Sequence, residues 1–176
     1  YNCEDYLTSC LDSLLRQTIG KDELEVLLID DGSEDGSLGI CRKYAEKHDI
    51  FKVFSLENGG VSATRNFGIE HAQGQYITYL DSDDTLTDDT LNTVANFFDK
   101  HFDEIDLVTY KIIPYYGEKK FALHYRYKLL KTTGVYDLED PVYCYITQTT
   151  MNICVKNLGA GKNVLFDTSH PECFSS

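Results

Sequence analysis

A chain of 176 residues with 42% hydrophobic and 26% charged residues carries enough apolar material for one globular domain with its own core. Its formal net charge of -13 repels polyanions from most of the surface, so nucleic acid is set aside as a partner. No stretch approaches the roughly 18 uninterrupted apolar residues of a membrane span.

The first predicted element is a helix over residues 5–16, with Leu7, Leu11, Leu14 and Leu15 at helical spacing. Leu24 to Ile29 reads as a strand buried on both faces. Residues 37–48 return to helical spacing with Ile40, Cys41 and Tyr44. Phe51 to Phe54 is a second strand, Val61 to Ala72 a third helix and Tyr76 to Leu80 a third strand. Thr87 is the expected N-cap of a fourth helix, with Asp88 and Asp89 in its first turn and Leu91, Val94, Ala95 and Phe98 on its buried stripe. Ile105 to Tyr110 is a fourth strand. Residues 112–127 read as a β-ribbon or irregular excursion, 137–150 as a short helix and loop, and Met151 to Val155 as a further strand. Strands alternating with helices imply a mainly parallel sheet with helices on both faces. Such a sheet should open on an apolar strand, so one is expected before Tyr1.

The cysteines Cys3, Cys10, Cys41, Cys144, Cys154 and Cys173 form no C-x-x-C pair and have no His cluster nearby. They read as reduced thiols of a cytosolic core and not as a zinc site.

The chemistry gathers at strand ends, where open parallel sheets bind ligands. The first strand candidate, Leu24 to Ile29, runs into Asp30-Asp31-Gly32-Ser33, and Tyr76 to Leu80 runs into Asp81-Ser82-Asp83-Asp84. Each cluster alone is an ordinary turn or helix-cap signal. Together they crowd five carboxylates on one rim, which is costly unless a cation or hydrogen-bond donors offset the charge. If strand geometry persists, Asp81 and Asp83 point the same way and can share one Mg²⁺ or Mn²⁺, with substrate phosphates as further ligands. Gly59-Gly60 opens the third helix, whose free N–H groups would attract an anion. Arg65, one turn in, reads either as a surface residue or as a partner for a phosphate or a buried Asp.

The ordered segments Tyr1-Asn2, Ser13 to Thr18 (SLLRQT), Glu25 to Ser33 (EVLLIDDGS), Asn58 to Ile69 (NGGVSATRNFGI) and Gly74 to Asp84 (GQYITYLDSDD) resemble the family 2 glycosyltransferases of the GT-A fold. The likeness spans residues 1–110 and fades beyond. It implies an α/β three-layer sandwich, mainly parallel, in one domain over 1–176 that is cut short at both ends. Residues 1–110 would bind the nucleotide-sugar and 111–176 would face the acceptor. By resemblance, Tyr1 helps hold the base, Asp30 and Asp31 contact base and ribose, and Arg65 lies near the nucleotide and the Asp cluster. Asp81 and Asp83 match the family's D-x-D motif. Asp83 would ligate Mn²⁺ or Mg²⁺, Asp81 would contact the ribose or a metal-bound water, and Ser82 lies between them at the donor.

The resemblance further implies an inverting transferase using a nucleoside-diphosphate sugar, with uridine as the family's commonest base. The acceptor would be a surface glycan or a lipid-linked sugar. The enzyme is expected in the cytoplasm, with peripheral association at the inner membrane face through segments outside this chain as a further expectation. A non-catalytic sugar-nucleotide or glycan-binding module of the same fold is the alternative. The family's later Glu-Asp base motif has no full counterpart: Asn163 to Asp167 (NVLFD) looks like the strand before it, and Glu172 has no Asp after it. The base is therefore expected beyond Ser176.

Overall fold

The computed structural model describes residues 1–111, 113, 115–116, 119–120, 134–136, 153–159, 161–163, 165–166 and 168. Helix α1 (Glu4–Leu15) starts with Glu4 and Asp5 in its first turn, where the helix dipole favours negative charge. Its Leu7, Cys10, Leu11 and Leu14 recur at helical spacing and are all buried. A 3-10 turn over Lys21–Glu23 leads into β1 (Val26–Asp30). Helix α2 (Ser37–Ala45) crosses over to β2 (Phe51–Ser55), which pairs parallel with β1 from Val26↔Phe51 to Asp30↔Ser55. Leu7, Leu11, Leu14, Leu28, Cys41 and Phe51 close the first core around this unit, joined by Leu86 and Leu91 from the far side of the acidic turn.

Helix α3 (Gly60–His71) packs close against β1: a Cβ added at Gly68 would lie 3.0 Å from Ile29 Cδ1. It is followed by β3 (Tyr76–Thr78), α4 (Thr90–Lys100) and β4 (Leu107–Thr109). Within the stretch read as a ribbon, β5 (Tyr115–Tyr116) pairs antiparallel with β6 (Lys119–Lys120). The last strand is β7 (Ile153–Lys156). Val94, Phe98, Ile105 and Cys154 form a second core, in which Phe98 is fully buried and stacks on Tyr76 with ring centroids 4.4 Å apart.

The α/β class stands, with a parallel β1–β2 pair and helical crossovers. Strand direction changes in the second sheet, whose order is β3-β7-β4. There β7 runs antiparallel to both neighbours and keeps β3 and β4 from pairing directly. Helix α4 begins at Thr90, with Asp89 and not Thr87 as its N-cap, so Asp88 and Asp89 lie before its first turn and not in it. The Asp88 carbonyl accepts from Thr18 N, and the Asp89 carboxylate accepts from Thr18 Oγ1 and Thr93 Oγ1. Asn163, Leu165 and Phe166, the described part of the run read as a late strand, lie outside any strand. The expected helix over 137–150, and Glu172 with its neighbours, fall outside the described residues. Among the described residues, no helix is long and apolar enough to cross a membrane.

Candidate nucleotide-sugar site

Strand β1 delivers Asp30 and Asp31 side by side, both buried. Asp30 Oδ2 accepts from Ser33 N at 3.2 Å, which folds the turn back on the strand end. Asp31 serves the α3 terminus: its Oδ1 accepts from Gly59 N at 2.8 Å and its Oδ2 from Gly60 N at 2.9 Å. The amides expected to be free for an external anion are thus held by the chain's own carboxylate, the charge that the helix N-terminus favours. Gly60, at φ +84°, supplies the left-handed residue that lets both amides converge.

Tyr1 is exposed beside this turn, and the residues after it are latched to the β1–α2 loop. Asn2 N donates to Ser33 Oγ, Asn2 Oδ1 accepts from Glu34 N, and Cys3 N donates to Ser37 Oγ, all within 3.0 Å. Glu4 Oε2 accepts from Gly36 N at 2.6 Å, and a Cβ at Gly36 would collide with that oxygen. This latch ties the residues after Tyr1 to the segment that follows Asp30.

The second acidic cluster is a turn and not a strand continuation. Strand β3 stops at Thr78, and Asp84 N donates to the Asp81 carbonyl at 3.0 Å. The alternation argument for Asp81 and Asp83 therefore does not apply; a turn carries the two side chains. Asp81 is partly buried and paired, whereas Asp83 is exposed. Arg65 Nη2 donates to Asp81 Oδ1 at 2.9 Å, which selects the buried-Asp reading of that arginine. The guanidinium also faces the Tyr79 ring at 5.9 Å and the Phe166 ring at 5.5 Å. Burial, with the charges of Asp83 and Asp81 added, pushes the Asp84 carboxyl above its ordinary value. Beneath the turn, the Cys10 thiol points to the Asp81 carbonyl and is pushed up to about 12, chiefly by burial. Cys3, Cys10, Cys41 and Cys154 are free thiols, as read from the sequence; Cys144 and Cys173 lie outside the described residues.

Helix α3 therefore ties the two acidic strand ends together, its first amides on Asp31 and its Arg65 on Asp81. Behind the acidic turn lies a polar seam that the sequence reading passed over. Ser13 Oγ accepts from Leu86 N and donates to the Cys10 carbonyl. Gln17 Oε1 accepts from Leu91 N, while its Nε2 donates to the carbonyls of Ser13 and Thr87. Ser13 on the otherwise apolar stripe of α1, with Gln17 just past the helix end, was the available signal, since a buried polar side chain needs partners.

The sequence profile described as glycosyl transferase family 2 matches residues 1–154. The chain belongs to glycosyl transferase family 2. Over 168 residues this family 2 chain is 37% identical to the minor teichoic acid biosynthesis protein GgaB of Bacillus subtilis, covering 95% of itself and 18% of GgaB. Among solved structures it resembles Staphylococcus aureus TarS residues 1–349 in complex with UDP-GlcNAc, at TM-score 0.59 and 38% identity over 64% of this chain and 32% of that one. It also resembles the mannosyltransferase PcManGT of Pyrobaculum calidifontis in complex with GDP-Man and Mn²⁺, at TM-score 0.57 and 26% identity, covering 62% and 32%. The chain spans about a fifth of GgaB and about a third of each solved neighbour.

Among the described residues of this family 2 chain, no three His, Cys, Asp or Glu side chains converge as a ready cation cage. The donor set at the acidic turn is oxygen-only and anionic, with an exposed Asp83 next to the Arg65-bound Asp81. That set fits Mg²⁺ or Mn²⁺ bound through one or two carboxylates, with substrate phosphates and waters completing the shell.

Proposed function

We propose that the protein is a metal-dependent inverting glycosyltransferase that moves a sugar from a nucleoside diphosphate to a glycan or lipid-linked acceptor in surface-polymer synthesis. The observation that carries this reading is α3 bridging two acidic strand ends, Asp31 at its first amides and Asp81 at its Arg65. The family membership and the UDP-GlcNAc bound by TarS support a nucleotide-sugar donor, with uridine as the base.

In this reading Tyr1 packs on the base and Asp30 accepts hydrogen bonds from base or ribose. Asp31 acts at one remove, by setting the Gly59-Gly60 loop against the ribose. Asp83 holds the cation, Asp81 lies next to it under the control of Arg65, and Ser82 hydrogen-bonds the donor. The cation, when bound, neutralises charge developing on the departing diphosphate. The acceptor hydroxyl oxygen attacks the anomeric carbon, the bond from that carbon to the diphosphate oxygen breaks, and the hydroxyl proton passes to a general base. The protein would act in the cytoplasm at the inner membrane face, where lipid-linked acceptors are accessible.

The test is sugar transfer by the intact protein and by its Asp83→Asn variant. Transfer should fall by about 100-fold or more in the variant, a loss of several kcal/mol of transition-state stabilisation. Its thermal midpoint should not fall, because removing one of several like charges relieves repulsion. Near-normal turnover would reject Asp83 as the cation ligand. Tight nucleotide-sugar binding without any turnover by the wild type would point instead to a non-catalytic module.

A further inference from the structure

Residue Asn66 follows Arg65 on α3, and its side chain is spent on one backbone unit 100 positions away. Asn66 Nδ2 donates to the Phe166 carbonyl at 2.9 Å, and Phe166 N donates to Asn66 Oδ1 at 2.6 Å. A carboxamide satisfying both the donor and the acceptor of one residue takes the place of a strand neighbour at Phe166. The clamp sets the Phe166 ring 5.5 Å from the Arg65 guanidinium and edge-on to Tyr79, with ring centroids 5.6 Å apart. Arg65 in turn donates to Asp81.

We infer that Asn66 is a positioning residue: it docks the acceptor-side segment around Phe166 against α3, so that Phe166 and Tyr79 together hold Arg65 on Asp81 at the donor site. The inference rests on the transferase reading for its effect on turnover, but not for the clamp itself. A side chain on the same helix turn as Arg65 thereby couples the placement of the late segment to the geometry of the acidic turn. Loosening the clamp should leave Asp30 and Asp31 in place, since their hydrogen bonds to Ser33, Gly59 and Gly60 do not involve Phe166. It should misplace whatever follows Phe166 with respect to the reacting centre, where errors of about 1 Å cost about 100-fold in rate.

The experiment uses the intact protein with Asn66→Ala and Asn66→Asp. Alanine preserves α3, since it is the best helix former. Aspartate keeps the acceptor for Phe166 N but sets a carboxylate against the Phe166 carbonyl. Hydrogen exchange followed by mass spectrometry should show the segment around residues 165–168 exchanging at least about tenfold faster in both variants, with α3 still protected. Sugar-transfer kcat should drop at least about tenfold, while the affinity for the nucleoside diphosphate falls by clearly less than kcat, because Asp30 and Asp31 keep their partners. Unchanged exchange at residues 165–168 would overturn the clamp. Faster exchange with unchanged kcat, or with nucleotide affinity falling as far as kcat, would overturn the positioning role. If the wild type binds no nucleotide-sugar, the transferase reading fails, while the exchange result still decides the clamp.

Discussion

Arg65 joins one planar guanidinium to three partners: the Asp81 carboxylate and the rings of Tyr79 and Phe166. Lysine offers the charge but neither the flat face nor the fixed fork, so Arg65→Lys is not a conservative change here. Donor affinity by calorimetry should weaken about tenfold in Arg65→Lys, a loss of about 1.4 kcal/mol. An unchanged affinity would mean that charge alone suffices. At this scale the sequence named the residues better than their duties. The acidic pair and Arg65 stand out by type and spacing. That Asp31 would turn inward onto Gly59 and Gly60 depends on the left-handed φ of +84° at Gly60, which residue types do not encode directly. Asn66 and Phe166 were out of reach because their contact spans 100 positions and uses backbone atoms.

Between elements, the seam from α1 to the segment after the acidic turn sets where Asp81 to Asp84 can lie. Gln17 satisfies Leu91 N, the Thr87 carbonyl and the Ser13 carbonyl with one side chain. Gln17→Ala should therefore cost about 1–3 kcal/mol, the penalty of leaving a buried amide without a partner, read as a lower midpoint in chemical denaturation. A cost near zero would mean that water replaces the amide group. A second tie joins β1 to its neighbours: Glu25 accepts from Lys52 Nζ at 2.6 Å and from Gln73 N at 2.9 Å. Burial alone would raise the Glu25 carboxyl, but Lys52 and the Gln73 and Gly74 amides outweigh it and hold it below its ordinary 4.5. A carboxyl lowered on folding stabilises fully above the unfolded-state value, and that stability is lost as pH falls through the folded value. Glu25→Gln should thus lower stability at pH 7 by about 0.5–1 kcal/mol, discounted because Lys52 is half exposed, with the gap to wild type closing in acid. A gap that widens as pH falls would contradict this. Helical spacing and apolar runs located α1 to α4 and β1 to β4, because these elements bury a periodic face. Strand ends and the start of α4 were set by tertiary hydrogen bonds, as were the direction and place of β7 between β3 and β4.

Over the whole molecule, two facts bear on function together. The described strands form a parallel β1–β2 pair and a separate β3-β7-β4 sheet, so β1 and β3 each present an edge without a strand partner among the described residues. The chain also carries a net charge of -13, with its acidic strand ends tied by α3, so an anionic diphosphate would be repelled unless a cation came with it. The central claim is that the acidic turn holds a divalent cation together with a nucleoside diphosphate. Calorimetric titration of UDP into the intact protein, in Mn²⁺ and then in chelator, tests it most directly. The account predicts binding at least about 100-fold weaker in chelator, a difference of about 2.7 kcal/mol, and a similar loss in Asp83→Asn with Mn²⁺ present. Equal affinity with and without Mn²⁺ would contradict it.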